Sequence, residues 1–398
     1  MRLATGPDLR PRPIISPFAF PVEEYRQRVA RARAAMAAQG VDALLVTEDR
    51  NVFYFTGAGG AQAREDKARP AAVLIPRQGE VVALVPHSRG IAFREASWVG
   101  ELRTYDDLAK PVLHQARVRL IEEAGPGART IGMELGYEQR LGMSVADYEG
   151  LKAALPAHRF ADASLLLWNL RFIKSPAELA RIERAIRVTD QAYAAVFPTL
   201  RPGMTEREII ARFQGEMARL GATASWASIL SGTYDRFGYL VRERVVEAGE
   251  MVWIDMGANV LGYWADFSRG AVLGQPTPHQ RDMQQKVREV TLLAIEAVKP
   301  GLTMTDIARV CDREMARRGL VFNTWAVRYG HGMGLQTTEP PHVGLYDETV
   351  IAPGMVLNLE PGMCTPEGRF QIEENGVVTE TGYRCLTRSP RELVAVPL

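Results

Sequence analysis

A chain of 398 residues exceeds what one hydrophobic core usually holds, so two domains are expected, each large enough to fold without staples. Its 48 basic and 47 acidic side chains leave a formal charge of +1, and the lack of a Lys/Arg block or aromatic-basic stripe argues against nucleic acid as a partner. Three scattered cysteines, Cys311, Cys364 and Cys385, make neither a disulfide framework nor a C-x-x-C zinc site and read as thiols in a reducing compartment.

Residues 1–21 interrupt their apolar positions with Pro, Arg and Asp and so lack the apolar core of a signal peptide. No later run approaches the roughly 18 to 20 apolar residues of a spanning helix, which places the chain in the cytoplasm and away from the membrane. Val22 to Gln39 reads as an amphipathic helix stopped by Gly40. Ala43 to Thr47 reads as a strand, and Ala71 to Ile75 with Val81 to Val85 as a hairpin around PRQGE. Val118 to Glu123 reads as the end of a further helix and Thr130 to Glu134 as another strand, so the first domain, 1–167, is α/β with a mixed sheet.

The second domain, 168–398, leads into a long helix through the capping box Ser175-Pro-Ala-Glu178, with Pro at the first helical position. Thr205-Glu-Arg-Glu208 and Thr303-Met-Thr-Asp306 open two more helices, the first ending at Gly221. Strand-like segments lie at Met251 to Met256, Tyr263 to Phe267, Met355 to Glu360 and Phe370 to Thr379, an α+β pattern with antiparallel hairpins.

Two of these hairpins carry acids in opposed pairs. A symmetric hairpin closed by a four-residue loop, Asn259 to Gly262, puts Asp255 directly opposite Asp266, with Cβ atoms roughly 4.5 to 5.5 Å apart. At ~5 Å and an effective dielectric of ~20, like charges repel by about 3 kcal/mol, so such a pair needs a cation or a shared proton. A turn at Thr365-Pro-Glu-Gly368 likewise sets Glu360 against Glu373. The stretch Gly330-His331-Gly-Met-Gly334 adds an imidazole on a backbone that a ligand can approach closely. Four carboxylates and one histidine call for two divalent cations, with manganese, iron or cobalt ahead of zinc.

With these residues in hand, the chain resembles the pita-bread metallopeptidases: Xaa-Pro aminopeptidases, prolidases, methionine aminopeptidases and creatinases. VDALLVTEDRNVFYFTG is similar to the creatinase-type N-terminal domain, and LRFIKSPAELARIERA to the start of the catalytic domain. WIDMGANVLGYWADFSRG, GHGMGL, NLEPG and QIEENGVVT fall where the family's metal ligands belong. The resemblance implies an α/β creatinase-like N-terminal domain followed by an α+β pita-bread catalytic domain. It implies Asp255, Asp266, His331, Glu360 and Glu373 as ligands of two divalent ions, with Glu374 a neighbour only. It also implies a homodimer and a small-molecule or dipeptide-like substrate, whose amide or peptide C–N bond is cleaved by a metal-bridging hydroxide with Glu360 as the proton partner.

The chain departs from the family where peptidases carry three further histidines. Those positions are Tyr239, Val327 and Thr338, the last followed by the expected Glu339 and Pro340. Candidate acid, base and hydrogen-bonding residues are therefore Glu360, Glu339, Tyr239 for a developing oxyanion, and His342, the one histidine outside the motifs that can re-enter the cleft. Two alternatives within the fold are a creatinase-like enzyme, which lacks metal ligands, and a dimethylsulfoniopropionate lyase, whose two extra aspartates are Trp253 and Thr337 here. A non-catalytic pita-bread binding protein is the third, and it would be expected to lose ligands.

Overall fold

The structure, a computed structural model, describes residues 14, 16–59, 69–106, 113–232, 241–321 and 328–398. It divides into two compact units, Met1–Arg171 and Phe172–Leu398. Among the described residues no helix is long and apolar enough to cross a membrane.

In the first unit the chain runs α1 (Val22–Gln39), β1 (Ala43–Val46), α2 (Asp49–Thr56), β2 (Ala72–Pro76), β3 (Val82–Pro86), α3 (Gly90–Ala96), β4 (Glu101–Tyr105), α4 (Leu113–Ala124), β5 (Thr130–Met133), α5 (Val145–Ala154), β6 (Arg159–Asp162) and α6 (Ser164–Phe172). The strands form one mixed sheet in the order β4-β3-β2-β1-β5-β6. Gly40 closes α1 in the left-handed conformation, as its position after the amphipathic run requires. Helix α2 falls in DRNVFYFT, whose aromatic content favours strand; the Glu48 side chain accepts from the N–H groups of Arg50 and Asn51 and starts a helix instead. Leu45, Leu74, Leu84, Leu120 and Ile131 form the centre of the core on one face of the sheet.

The second unit runs α7 (Pro176–Val196), α8 (Glu206–Arg219), β7 (Ala224–Ser231), β8 (Met251–Val260), β9 (Tyr263–Trp264), β10 (Phe267–Leu273), α9 (Pro278–Ala297) and α10 (Met304–Arg317). It continues through β11 (Gly330–Gly332), β12 (Glu339–His342), β13 (Val356–Leu359), β14 (Gly362–Thr365), β15 (Gly368–Gln371), β16 (Glu374–Val378), β17 (Tyr383–Cys385) and β18 (Val394–Val396). Two five-stranded sheets result, one ordered β18-β10-β8-β7 with β9 on β8, the other β12-β11-β13-β16-β17, and β14 pairs β15. Capping boxes at Ser175, Thr205, Thr277 and Thr303 start α7 to α10, each satisfying two backbone donors that a helix end leaves free. Helix α7 is tied to the first sheet through Tyr193, whose hydroxyl lies 2.8 Å from the Ile254 carbonyl and 2.9 Å from that of Phe267.

The register of the β8 hairpin corrects one expectation. Its turn has two residues, Leu261 and Gly262, both at positive φ (51° and 96°), the geometry that suits the right-handed twist of the strands. Val260 therefore pairs with Tyr263 and Asp255 with Ser268, so Asp255 and Asp266 are diagonal neighbours on the ladder and not directly opposed. The Pro366-Glu367 turn keeps the expected register: Leu359 pairs Glu374 and Gly362 pairs Gln371, which leaves Glu360 and Glu373 facing each other at the junction of the two ladders.

Candidate metal centre

Asp255 lies in the middle of β8, a strand buried along its whole length and paired on both edges, with Ser228 and Ser268 as its cross-strand neighbours. Asp266 sits in the break between β9 and β10. There the side-chain amide of Asn375 bonds both its backbone N–H and its carbonyl. Glu373 occupies the step between β15 and β16, Glu360 follows β13, and His331 is the central residue of β11. Ligand atoms of Asp255, Asp266 and Glu373 lie within 4.8 Å of one another. His331 Nε2 is 3.6 Å from Asp266 Oδ2 and 3.8 Å from Glu360 Oε1. All five residues singled out as ligands are thus brought to one place.

The glycines around His331 are required by close backbone approach. A Cβ at Gly330 would collide with the Asn358 carbonyl, and one at Gly332 with that of Pro340. His331 Nδ1 is 2.8 Å from the Gly332 carbonyl, which can only accept, so Nδ1 carries the proton and the Nε2 lone pair faces the carboxylates. Asn358, the cross-strand neighbour of His331, reaches both Nε2 at 3.3 Å and Glu373 Oε2 at 3.2 Å.

Burial and like charge dominate the electrostatics of this cluster. Burial, opposed by Arg369 and reinforced by Glu360, pushes Asp255 up to about 7. Burial and then the neighbouring carboxylates push Asp266 and Glu373 well above the carboxylate range. Burial and then the Arg328 charge push His331 well below the usual imidazole value. Among the described residues, Asp255 Oδ1 and Glu373 Oε1 are buried with no hydrogen-bond partner, as are the hydroxyls of Ser228 and Ser268 beside Asp255. Orphaned carboxylate oxygens converging with an imidazole lone pair are what a hard divalent cation needs, so the residues present fit such an ion.

The remaining candidates are placed as follows. His342 ends β12 in register with His331, and its Nδ1 is 3.3 Å from Arg328 Nη1. Glu339 is buried at the start of β12, where Oε2 lies 3.5 Å from Lys174 Nζ and Oε1 accepts from the Gln336 N–H. Thr338 Oγ1 accepts from Arg328 Nη2 at 3.4 Å. Tyr239 and Val327 lie outside the described residues. Sequence reading missed Arg328, Asn358 and Asn375. The two asparagines share a cross-strand row with His331 and His342, and only the strand register reveals it.

The model of metallopeptidase family M24 matches residues 180–380, and that of the creatinase/prolidase N-terminal domain matches 28–173. The Xaa-Pro dipeptidase of Pyrococcus horikoshii is 28% identical over 379 residues, covering 92% of this chain and 99% of that protein. The uncharacterized peptidase YqhT of Bacillus subtilis is 26% identical with the same coverage. Among solved structures, the prolidase of P. horikoshii superposes with a TM-score of 0.79 at 28% identity, over 92% of this chain and all (100%) of the other. The Xaa-Pro dipeptidase of Bacillus anthracis superposes with 0.82 at 25% identity, over 94% and 100%. A creatinase-type N-terminal domain, a pita-bread domain with its acidic cluster, and a family match across half the chain make this protein a member of metallopeptidase family M24.

Proposed function

We propose that the protein is a dinuclear peptidase in which Asp255, Asp266, His331, Glu360 and Glu373 hold two divalent ions, and that it cleaves the C–N bond of a small dipeptide-like substrate. The observation that carries this reading is the convergence of ligand atoms of Asp255, Asp266 and Glu373 within 4.8 Å, with oxygens on two of them that find no partner among the described residues. Four carboxylates and one imidazole favour manganese, with iron, cobalt or zinc next. When bound, such ions supply Lewis acidity and make water a better nucleophile near neutral pH.

The chain's own residues supply the proton handling. Glu360 is the most open of the ligand carboxylates, at 15% side-chain exposure, and Arg328 Nε holds its Oε1 at 3.2 Å, so it is placed to take the proton of an attacking water. His342 stands on the other side of Arg328, its Nδ1 3.3 Å from Nη1, and is the second candidate for proton handling at the leaving amine. Glu339 braces the same wall through Lys174, and Tyr239 is assigned a hydrogen bond to the developing oxyanion.

Relatives described as Xaa-Pro dipeptidases make Xaa-Pro dipeptides the first substrates to try. Tyr239, Val327 and Thr338 favour one with a less basic leaving group, such as an N-acyl or N-carbamoyl amino acid. Lyase chemistry is disfavoured because the two positions that would carry its extra aspartates are Thr337 and Trp253, the latter fully buried with the Arg369 guanidinium 4.2 Å from its ring. A cytoplasmic homodimer completes the reading, on the resemblance to dimeric pita-bread enzymes and on three free thiols. The test is a screen of manganese-reconstituted protein against Xaa-Pro dipeptides, N-acyl and N-carbamoyl amino acids, and dimethylsulfoniopropionate. Metal-dependent release of an amino acid supports the reading, and turnover of the sulfonium compound alone contradicts it.

A further inference from the structure

Asp266 and Glu373 both sit in breaks between strands, Asp266 between β9 and β10 and Glu373 between β15 and β16, so neither has a full ladder to hold its backbone. Asn375, two residues past Glu373, bonds both the N–H and the carbonyl of Asp266. The reverse contact is made by Arg269, three residues past Asp266, whose Nη1 donates to the Glu373 carbonyl at 2.7 Å. Each acid is therefore held through its main chain by a side chain that belongs to the other acid's segment.

Arg269 is 2% exposed, and all five N–H donors of its guanidinium are used. Nη1 also donates to the Ser268 carbonyl at 2.8 Å, Nη2 to Glu374 Oε1 at 2.7 Å and to the Ser389 carbonyl at 3.1 Å, and Nε to that same carbonyl at 3.2 Å. Glu374, fully buried, fixes the fork from the side away from the cluster. Its Oε1 also accepts from Arg391 Nε at 3.0 Å, and its Oε2 from Cys385 Sγ at 2.8 Å and from the Thr387 hydroxyl. The contact reaches from β10 in one sheet to the start of β16 in the other. A lysine keeps the charge beside Glu374 but has neither the number of donors nor the planar fork to bond four groups at once.

We infer that Arg269, seated by Glu374, is a positioning residue that forms with Asn375 a reciprocal cross-brace between the two sheets, and that this brace sets the spacing of Asp266 and Glu373. Two buried like charges otherwise push their segments apart, and a brace anchored at both ends resists that push. The inference rests on the metal reading above for its effect on cation binding and on hydrogen-bond geometry alone for the brace itself.

Manganese titration calorimetry and side-chain NMR test it. Arg269→Lys should lose about 10- to 100-fold in manganese affinity. Arg391→Met, which touches Glu374 but neither acid of the cluster, should change that affinity less than about threefold although it too loses a partly buried ion pair. Because the brace needs both ends, Arg269→Lys combined with Asn375→Leu should bind no more than about threefold more weakly than the worse single variant, whereas independent contributions would multiply. In nitrogen-15 spectra of the metal-free wild type, the Arg269 Nη protons, assigned through the Phe267 ring 5.2 Å from Cζ, should give separate signals of a guanidinium that does not rotate. Those signals should average in Asn375→Leu. Averaged Arg269 signals in the wild type, wild-type manganese affinity in Arg269→Lys, an equal loss in Arg391→Met, or losses that multiply would each overturn the inference. If the wild type takes up no manganese, the metal reading fails, and the brace is decided by the spectra alone: Arg269 signals unchanged in Asn375→Leu would overturn it.

Discussion

The side-chain amide of Asn375 pairs with both backbone polar groups of Asp266: Oδ1 accepts from the Asp266 N–H at 3.1 Å, and Nδ2 donates to its carbonyl at 2.5 Å. The amide stands in for a neighbouring strand at the point where β9 gives way to β10. Asp266 can thereby leave the ladder and turn toward Asp255 without orphaning its own buried backbone.

That relationship predicts a variant phenotype. Asn375→Leu keeps the volume and removes both bonds, so divalent-ion affinity should fall roughly 10- to 100-fold and stability by about 1 to 3 kcal/mol. Isothermal titration with manganese and urea unfolding measure the two effects. Wild-type affinity in this variant would show that Asp266 is positioned by something else.

A second expectation concerns the metal-free protein. Asp255 is raised to about 7 from an ordinary 3.8, and Asp266 and Glu373 are raised too, so between these limits the folded chain binds more protons than the unfolded one. Their contribution is complete below about pH 4 and is lost as pH rises through the folded values, at about 1.4 kcal/mol per pH unit for each proton held. The urea midpoint of chelator-treated protein should therefore be lower at pH 8 than at pH 5.5, and added manganese should restore it at pH 8. A midpoint equal or higher at pH 8 without metal would show that like-charge repulsion does not govern the stability of the metal-free site.

Third, Glu373→Gln relieves part of that repulsion while removing a ligand. Metal-free stability should rise by about 1 kcal/mol, and turnover should fall by about 10³-fold or more. Thermal unfolding and steady-state rates check both signs. A variant that turns over like the wild type would take Glu373 out of the site.

Much of this was legible in the sequence, and what was not has identifiable causes. The capping boxes at Ser175, Thr205 and Thr303 are local signals, and the structure starts helices at each. The pairing of Glu360 with Glu373 followed from a turn whose length was read correctly. The β8 register was misread because Leu at a positive-φ turn position is uncommon, so a two-residue turn at Leu261-Gly262 looked like a four-residue loop. Helix α2 hid in an aromatic segment, and α9 opened at Thr277, where Gln takes the place of Glu in the capping box. Arg328, Asn358 and Asn375 act through partners up to 109 residues away, a proximity that no local pattern encodes.

Fourth, the site's departures from the family predict an altered specificity. With Thr338 bonded to Arg328 in place of a titratable ring, proline dipeptides should be cleaved weakly, below about 10⁴ M⁻¹s⁻¹ in kcat/KM. Thr338→His should raise that value by about tenfold or more. An efficient wild-type prolidase would show that the missing histidines are not what limits the rate.

The number of ions bound bears most directly on the proposed dinuclear site. Protein stripped with chelator, reconstituted with manganese and passed over a desalting column should hold two ions per chain by elemental analysis, and hydrolysis of the best substrate should appear only in the reconstituted form. A chain that takes up no ion with Asp255, Asp266, His331, Glu360 and Glu373 all intact, or that hydrolyses equally well after stripping, would contradict the assignment.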